Sequence, residues 1–353
     1  MKRKKYITLL RYLPPFIVSV FVAAALIACP KEAADGVKNG LSLLGSNIIP
    51  SLFPFMVLSS YISGSPLTDY ITRITEKICI KLFKTNGYAL MSVFLGLLGG
   101  YPIGPKTVAE FHESGKLSKN EAQRLFWWCV NPSPAFVITA VGTFMLSDYK
   151  SGIILYGSTL LSTLTTGIAM RFFGSSENLS PMQKSKNQTG FVEAVASGSE
   201  AMLSVCGWVL TFSEISALVD ITVTDKSTAF LIKSALEVTT GCLGAAEHNA
   251  SLPIISATLG FGGLAVIFQI SKYLKICHID MKIFLCSRLF CGALNAFFCS
   301  QLLRIFPIST EAFKTVTVAE TVFPLSHSIT ATVILVIMCT VLILEVDNRK
   351  KVC

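Results

Sequence analysis

The chain contains nine apolar stretches, each about long enough to cross a lipid bilayer as a helix. An α-helix needs about 20 predominantly apolar residues to span the hydrocarbon core. The stretches lie at 13–29, 47–64, 87–104, 125–147, 152–173, 197–220, 251–271, 284–304 and 328–346. A tenth segment, 228–246, is weaker because it contains Lys233 and Glu237, and we expect a re-entrant or broken helix there. The sequence therefore predicts an all-α, polytopic membrane protein with about 8–10 transmembrane or re-entrant helices.

The composition leaves no room for a soluble domain. Of the 353 residues, only 14% are charged and 52% are hydrophobic, whereas about 25% of the residues in soluble proteins are charged. The net charge of +9 comes from basic residues that lie mainly between the apolar spans, as expected for loops on the cytoplasmic side. We therefore expect an integral membrane protein that has the lipid bilayer as its partner and binds no nucleic acid.

The N-terminal segment has two interpretations. The basic start MKRKK and the apolar run that ends in LIAC are typical of a lipoprotein signal, in which Cys29 would be acylated. The alternative is an uncleaved first membrane helix, which Arg11 and Pro30 favour. The sequence leaves the acylation of Cys29 open.

No motif for a cofactor, a metal ion or catalysis is found. The 11 cysteines include no Cys-x-x-Cys pair, and most of them lie inside apolar runs, where cysteine behaves as a small hydrophobe. The four histidines have no ligand spacing. Phosphate-loop, dinucleotide and Gly-x-Ser-x-Gly motifs do not occur. We therefore expect a protein that is not an enzyme and has no cofactor and no metal ion.

One apolar segment departs from helical rules. The stretch LGLLGGYPIGPKTVAEF, at 95–111, begins as a membrane helix and then places Gly99, Gly100, Gly104 and two prolines ahead of Lys106. Glycine and proline are ordinary turn residues, so one interpretation is a helix end at the membrane surface. The other is a helix broken within the membrane, where non-helical backbone is tolerated only if protein or a water-filled cavity surrounds it.

A second stretch, LGFGGLAVIFQISKYLK at 259–275, repeats this pattern. It places Gly262 and Gly263 inside an apolar helix, and a polar run with lysines follows. Helices broken at corresponding positions of two repeats indicate the binding site of a transporter. The broken ends expose N–H groups and the positive end of a helix dipole, which suit an anion.

The segments that follow the two stretches also match. Each starts with Arg-Leu-Phe and has an asparagine seven residues after the arginine: Arg124 and Asn131, then Arg288 and Asn295. We expect both asparagines to lie in apolar helices and to line a substrate site or a gate, with interhelical hydrogen bonding as the alternative.

The duplication predicts an N-terminal helix and loop, a first repeat, a linking helix with a polar loop, a second repeat, and a last loop, helix and basic tail. These divisions are 1–46, 47–147, 148–196, 197–304 and 305–353.

Several side chains near the breaks are candidate substrate contacts. Lys106 can pair with a carboxylate, although a lysine at the membrane surface also extends its amine to the headgroups. Gln269 can hydrogen-bond a carboxylate or a ring nitrogen. The predicted substrate site comprises Gly99, Gly100, Tyr101, Gly104, Lys106, Asn131, Gly262, Gly263, Gln269 and Asn295.

Two glutamates are candidates for coupling transport to an ion. Glu214 and Glu237 lie in or near apolar spans, where an ionisable group is costly and is commonly functional. Either carboxylate can bind a proton or a cation. Pairing with a basic residue of the bundle is the alternative for both.

The chain resembles the YlbJ-type sporulation integral membrane proteins. The resemblance implies two Gate, or nucleoside-recognition, domains and a distant likeness to concentrative nucleoside transporters. It also implies an endospore-forming bacterium, expression in the mother cell, and movement of dipicolinic acid across the outer forespore membrane. Two features, the Pro-Ser-Pro after Asn131 and the presence of Glu214, depart from the family pattern and bear on the exact substrate. The matching blocks are NIIPSLFPFMVLSSYISG (47–64), 96–142 with GLLGGYPIG at its start, LEVTTG (236–241) and LGFGGLAVIFQ (259–269).

We therefore expect a transporter of a small anionic metabolite, and the resemblance implies dipicolinic acid. Phenylalanines would cover the ring, and the helix ends with Lys106 would neutralise the carboxylates. A nucleoside transporter is the first alternative, and its site would carry fewer cations and more hydrogen-bonding carboxylates and amides. A non-transporting scaffold for spore envelope assembly is the second. Other sporulation membrane proteins or a second copy of the chain are the protein partners that the sequence leaves open.

Overall fold

The computed structural model describes residues 20, 23–24, 26–173, 190–248 and 250–308, all of which belong to one unit of the chain. Within these ranges every regular element is helical and no strand occurs. The prediction of an all-α polytopic membrane protein is confirmed. The predicted span 328–346 and most of the predicted span 13–29 lie outside the described residues.

The helices in the first half of the described chain range from 5 to 22 residues in length. Helices α1, π1 and α2 follow one another without a gap and form one apolar helix of 34 residues. The elements are α1 (Pro30–Leu43), π1 (Leu44–Ile48), α2 (Ile49–Ser63), α3 (Pro66–Phe83), α4 (Gly87–Gly99), α5 (Ile103–Glu113), α6 (Lys119–Leu125), π2 (Ala135–Met145) and α7 (Tyr149–Met170).

The second half contains the two longest single α-helices of the described chain, with four shorter helices between them. Helix α8 packs along α1 and α2, and α13 packs along α7 and α11, so the two halves share one bundle. The elements are α8 (Phe191–Thr222), α9 (Lys226–Leu236), α10 (Val238–Glu247), α11 (Leu252–Phe261), α12 (Gly263–Ile276) and α13 (Met281–Ile305).

Five helices of the described residues are long and apolar enough to cross a membrane, and α3 with α4 forms a sixth candidate that is bent by 93°. Four of the five agree with the predicted spans 152–173, 197–220, 251–271 and 284–304. The structure has fewer whole spans than the 8–10 predicted helices. Part of the difference lies outside the described residues, and part comes from predicted spans that are broken. The five helices are Pro30–Ser63, Tyr149–Phe173, Phe191–Thr222, Leu252–Ile276 and Met281–Ile305.

Two predicted spans are not continuous helices. The span 87–104 ends at Gly99, and α5 packs back against α4 so that a Cβ on Gly96 would lie 2.9 Å from Gly104 Cα. The span 125–147 is interrupted between Leu125, where α6 ends, and Ala135, where π2 begins, and the residues between them include two prolines. Proline removes a backbone donor and clashes with the preceding helical turn, so the segment resumes as helix only at Ala135.

The predicted loop before residue 47 is wrong, because residues 30–43 are helical. Pro30 occupies the first turn, where its missing N–H costs nothing. Gly36 and Gly40 then let α1 approach α8 closely: a Cβ on Gly36 would lie 2.9 Å from Ala217 Cβ. Small residues at such contacts allow close helix packing in membranes, so this polar-looking segment forms a packed helix.

The matched Arg-Leu-Phe segments enter different structures. Asn131 lies in the non-helical residues 130–133, so the prediction of a helix there is wrong, whereas Asn295 lies inside α13. The glycine breaks differ as well. Gly100 separates two short helices that pack together, and Gly262 interrupts one span of 25 residues. The two repeat boundaries stay a prediction.

Candidate functional site

Four interruptions of helical structure meet at one place in the bundle. Gly100, in the first break, lies beside Ser133, in the second, at 3.6 Å between a Cβ built on the glycine and the serine Cβ. The Tyr101 hydroxyl donates a hydrogen bond of 2.8 Å to the carbonyl of Leu259, next to the third break. A Cβ on Gly263 would lie 3.1 Å from the Cα of Glu237, the residue of the fourth break.

These breaks surround a cavity, called here the inner cavity, with about 510 Å³ of atom-free space including its open side. Helices α5, π2, α10 and α12 all begin at it, and residues at or next to their first turns line its wall. Helix starts carry partial positive charge. The aromatic part of the wall comes from Tyr101, Phe136 and Trp208, and Trp208 stacks on Phe268 with 5.8 Å between the ring centroids.

Glu237 places a carboxylate at this cavity. Its two oxygens accept hydrogen bonds from the backbone N–H groups of Thr239 (2.9 Å) and Thr240 (2.7 Å), so the side chain caps α10. The residue is only 2% exposed. The segment breaks at this residue because the side chain folds back onto the start of α10, as expected of a capping acceptor. The predicted interruption of 228–246 is confirmed.

Gln269 also lines the inner cavity and supplies an unused donor. It is 8% exposed, and its amide nitrogen Nε2 has no hydrogen-bond partner among the described residues. A buried donor without an acceptor costs about 1–3 kcal/mol. The same residue also lines a second, smaller cavity, called here the outer cavity, of about 280 Å³.

The outer cavity carries the cations that the inner cavity lacks. Lys106 of α5 lines it and hydrogen-bonds Ser197 of α8. Lys272 of α12 lines it as well and forms an ion pair of 3.4 Å with Glu200 of α8. Lys106 therefore lies near the predicted site, but in the adjoining chamber.

Comparison with known proteins gives one relevant match. The chain is similar to the sporulation integral membrane protein YlbJ of Bacillus subtilis (strain 168), with 26% identity over 79% of this chain and 79% of that protein. The match supports the resemblance to the YlbJ-type proteins. No family model matches the chain, and no solved structure matches it. The suggested resemblance is confirmed, whereas the Gate domains and the substrate stay predictions.

The two asparagines do not line either cavity. Asn131 is satisfied at both ends, because its Nδ2 donates to the Trp128 carbonyl and its Oδ1 accepts from the Thr163 hydroxyl, both at 2.8 Å. Asn295 lies at the contact of α11 with α13, where a Cβ on Gly260 would clash with its Nδ2 at 2.2 Å. Both asparagines occupy positions within the bundle, which favours the interhelical alternative.

The predicted glycines fall into three groups. Gly99 and Gly100 line the inner cavity, and Gly100 has a φ of 90° that suits glycine. Gly262 and Gly263 also have positive φ, and they form the third break. Gly262 lies near Tyr101, and Gly263 lies near the backbone of residues 236–238. Gly104 has a packing role, because a Cβ there would lie 2.0 Å from the Cys129 carbonyl oxygen.

The two glutamates lie in different surroundings. Glu237 lies at the inner cavity. Glu214 lies on α8 at the contact with α1, where a Cβ on Gly36 would be 3.0 Å from its Cα. Only Glu237 is therefore placed for coupling at this site, and the coupling role of either residue stays a prediction.

The sequence reasoning missed several residues that shape the site. Ser133 and Thr239 bring hydroxyls to the inner cavity, and Trp208 brings its largest aromatic ring. The Pro-Ser-Pro pattern was a usable signal for Ser133, because two prolines rarely stay inside a helix. Trp208 had no signal, since an indole in an apolar helix faces lipid as readily as a cavity. Within residues 26–173, 190–248 and 250–308, no cluster of His, Cys, Asp or Glu suits a metal ion.

Proposed function

We propose that this YlbJ-type membrane protein transports a small ring-containing metabolite through the inner cavity during sporulation. The observation that carries the proposal is the meeting of four helix breaks around one cavity. Broken helices at membrane depth are tolerated where they line a cavity, and they form the substrate sites of many transporters. The YlbJ of Bacillus subtilis is a sporulation integral membrane protein, which supports the sporulation context.

Dipicolinic acid is the first substrate to test. The rings of Phe136 and Trp208 offer faces to an aromatic ring. Helix starts at the cavity favour negative groups, and Lys106 lies on the adjoining chamber. The corresponding location is the outer forespore membrane, and transport across it would supply the acid to the developing spore.

A nucleoside is the second candidate, and a specific observation favours it. The inner cavity carries the Glu237 carboxylate and the Gln269 amide, whereas no lysine or arginine is among its lining residues. A carboxylate accepts hydrogen bonds from hydroxyls and ring N–H groups but repels another carboxylate. A neutral, hydrogen-bonding ring therefore suits the inner cavity as it stands.

The test is uptake by liposomes that contain the purified protein, with labelled dipicolinate and a labelled nucleoside offered separately. Val205→Trp places a large ring into the inner cavity from α8. Leu203→Trp, two residues away, is the matched control because Leu203 is 72% exposed. We expect saturable uptake of one substrate, at least about tenfold lower in Val205→Trp and unchanged in Leu203→Trp.

The substrate that is taken up decides between the two candidates. Uptake that is equal in both variants would remove the inner cavity from the pathway. If the folded protein takes up neither compound, the scaffold alternative is favoured, in which the polar groups at the breaks have no transport role.

A further inference from the structure

Helix α3 leaves a stripe of large apolar side chains exposed. The members of the stripe are spaced by three or four residues, which places them on one face of the helix. Their exposed fractions lie between 54% and 64%. Single exposed apolar residues are ordinary, but a contiguous row of them marks an interaction surface. The stripe consists of Leu67, Tyr70, Ile74 and Ile78.

A row of cations runs along one edge of this stripe. Arg73, Lys77 and Lys81 follow one another at intervals of four residues, which is about one helical turn, and all three are exposed. Neither Lys77 nor Lys81 forms an ion pair with a described carboxylate. The row is therefore available to negative charge outside the protein.

The acidic residues of α3 are engaged within the protein. The Asp69 carboxylate accepts a hydrogen bond of 2.8 Å from the Tyr88 hydroxyl and pairs with the buried Lys116 at 3.6 Å. Glu76 accepts a hydrogen bond of 2.6 Å from the backbone N–H of Gly87. The outward surface of α3 is therefore apolar and positive.

The direction of α3 follows from its bend against α4, which is 93°. Helix α4 has no charged side chain among its 13 residues, whereas α3 has five among 18. Charged side chains are costly inside a bilayer, so α4 suits the hydrocarbon core and α3 does not. With α4 directed into the bilayer, the bend places α3 along the membrane surface.

We propose that α3 lies in the plane of the membrane surface and binds the headgroups of anionic lipids. The apolar stripe enters the boundary between headgroups and acyl chains, as in other amphipathic interfacial helices. The cation row pairs with the lipid phosphates. A zwitterionic lipid would cover the stripe but would bring no net negative charge to the row, so the row selects the anionic class. The proposal depends neither on the substrate nor on the inner cavity.

The position of α3 is tested in liposomes that contain the full-length protein, with Leu67→Trp and Ile78→Trp made separately. Lipids brominated near the headgroup end or near the middle of the acyl chain quench a tryptophan at the matching depth. The unsubstituted protein gives the background of the three native tryptophans. Both substituted positions are 54% exposed, so the added rings should leave the fold unchanged.

An in-plane helix predicts that both added tryptophans are quenched equally, and more strongly by the shallow bromines. The two positions are 11 residues apart, which is about 16 Å along a helix axis. Depths that differ by more than about 10 Å would mean that α3 crosses the bilayer. No added quenching in either variant would mean that protein, such as a second copy of the chain, covers the stripe. Either result overturns the proposal.

The choice of headgroup is tested by thermal unfolding of the full-length protein in detergent, with added phosphatidylglycerol or phosphatidylcholine. We expect the anionic lipid to raise the unfolding midpoint more than the zwitterionic lipid does. Replacing Arg73, Lys77 and Lys81 together by glutamine should remove about half of that difference or more. The control removes the same charge from three exposed lysines on α6, α7 and α9 and should keep most of the difference. Its substitutions are Lys119→Gln, Lys150→Gln and Lys226→Gln.

Both triple variants are first compared with the unsubstituted protein in detergent without added lipid. Surface substitutions should change the unfolding midpoint little there, so a loss of fold is separated from a loss of lipid binding. Equal losses in the two triple variants would show that net charge, rather than the row on α3, attracts the anionic lipid. That result would overturn the proposal.

Discussion

At the scale of single residues, Arg288 has the largest fully buried side chain of the described chain. Its guanidinium donates to the carbonyls of Val130 (2.6 Å) and Trp127 (2.9 Å), which lie where the helical turns after α6 give way to non-helical residues. Carbonyls at a helix end have no partner within the helix. Arg288 therefore braces the second break from α13.

Arg288→Lys should destabilise the protein by about 1–3 kcal/mol, because one ammonium cannot reproduce the planar fork that reaches two carbonyls. The measurement is the free energy of unfolding in detergent micelles. Arg304→Lys, at the exposed end of the same helix, should change it by no more than about 0.5 kcal/mol. Equal effects of the two substitutions would mean that the hydrogen bonds to the break contribute nothing.

Residue roles were the least predictable from the sequence. Gln269 and Tyr101 do line the inner cavity. The side-chain amide of Asn131, in contrast, forms its two hydrogen bonds within the protein. The sequence shows that an amide in an apolar segment needs partners, but it does not show whether they come from the protein or from a ligand. That choice depends on contacts such as Thr163 with Asn131, which join distant parts of the chain.

At the scale of elements, the third break depends on glycine. Gly263 has a φ of +79°, and a Cβ there would lie 3.1 Å from the Glu237 Cα, the Leu236 carbonyl oxygen and the Val238 nitrogen. Left-handed backbone costs a residue with a Cβ roughly 1–2 kcal/mol. The close contact adds to this cost, because none of those three backbone atoms belongs to a flexible side chain.

Gly263→Ala should therefore lower the free energy of unfolding by about 2 kcal/mol or more and lower uptake as well. Gly207→Ala is the control, since Gly207 lies inside helix α8 with open space where the Cβ would be. This control should stabilise the protein by up to about 1 kcal/mol. A neutral Gly263→Ala, measured by thermal unfolding beside the control, would show that the break adapts.

The elements were predictable to the extent that local composition decides them. The long apolar helices α7, α8 and α13 follow their predicted spans closely, because length and hydropathy suffice. The break between α6 and π2 was missed although two prolines mark it. Helix α1 was missed because its polar residues suggest a loop. Gly36 and Gly40 allow it to pack closely against α8, and that contact is not visible in the sequence.

At the scale of the whole molecule, the inner cavity needs both halves of the chain. Tyr101 comes from the first half, and Glu237 and Trp208 come from the second. Buried hydrogen bonds join the halves, such as that between the hydroxyls of Ser158 and Ser256 at 2.7 Å. The segment that connects them in sequence, 174–189, is rich in polar residues. Packing between helices, rather than that connection, should therefore hold the halves together.

A protease site inserted within 174–189 tests this, with cleavage after the full chain has folded. We expect the cut halves to purify together in mild detergent, because α1 and α2 pack on α8, and α7 packs on α11 and α13.

Gly36→Leu should reduce the fraction of one half that purifies with the other to about half or less. The reason is that a Cβ on Gly36 already lies 2.9 Å from Ala217 Cβ and from the Ser213 carbonyl oxygen. Gly45→Leu is the matched control because no atom lies within 4 Å of a Cβ at that position. Separation of the unsubstituted halves after cleavage would mean that the connecting segment holds the bundle together, and equal retention by the two leucine variants would remove the α1–α8 contact from its stability.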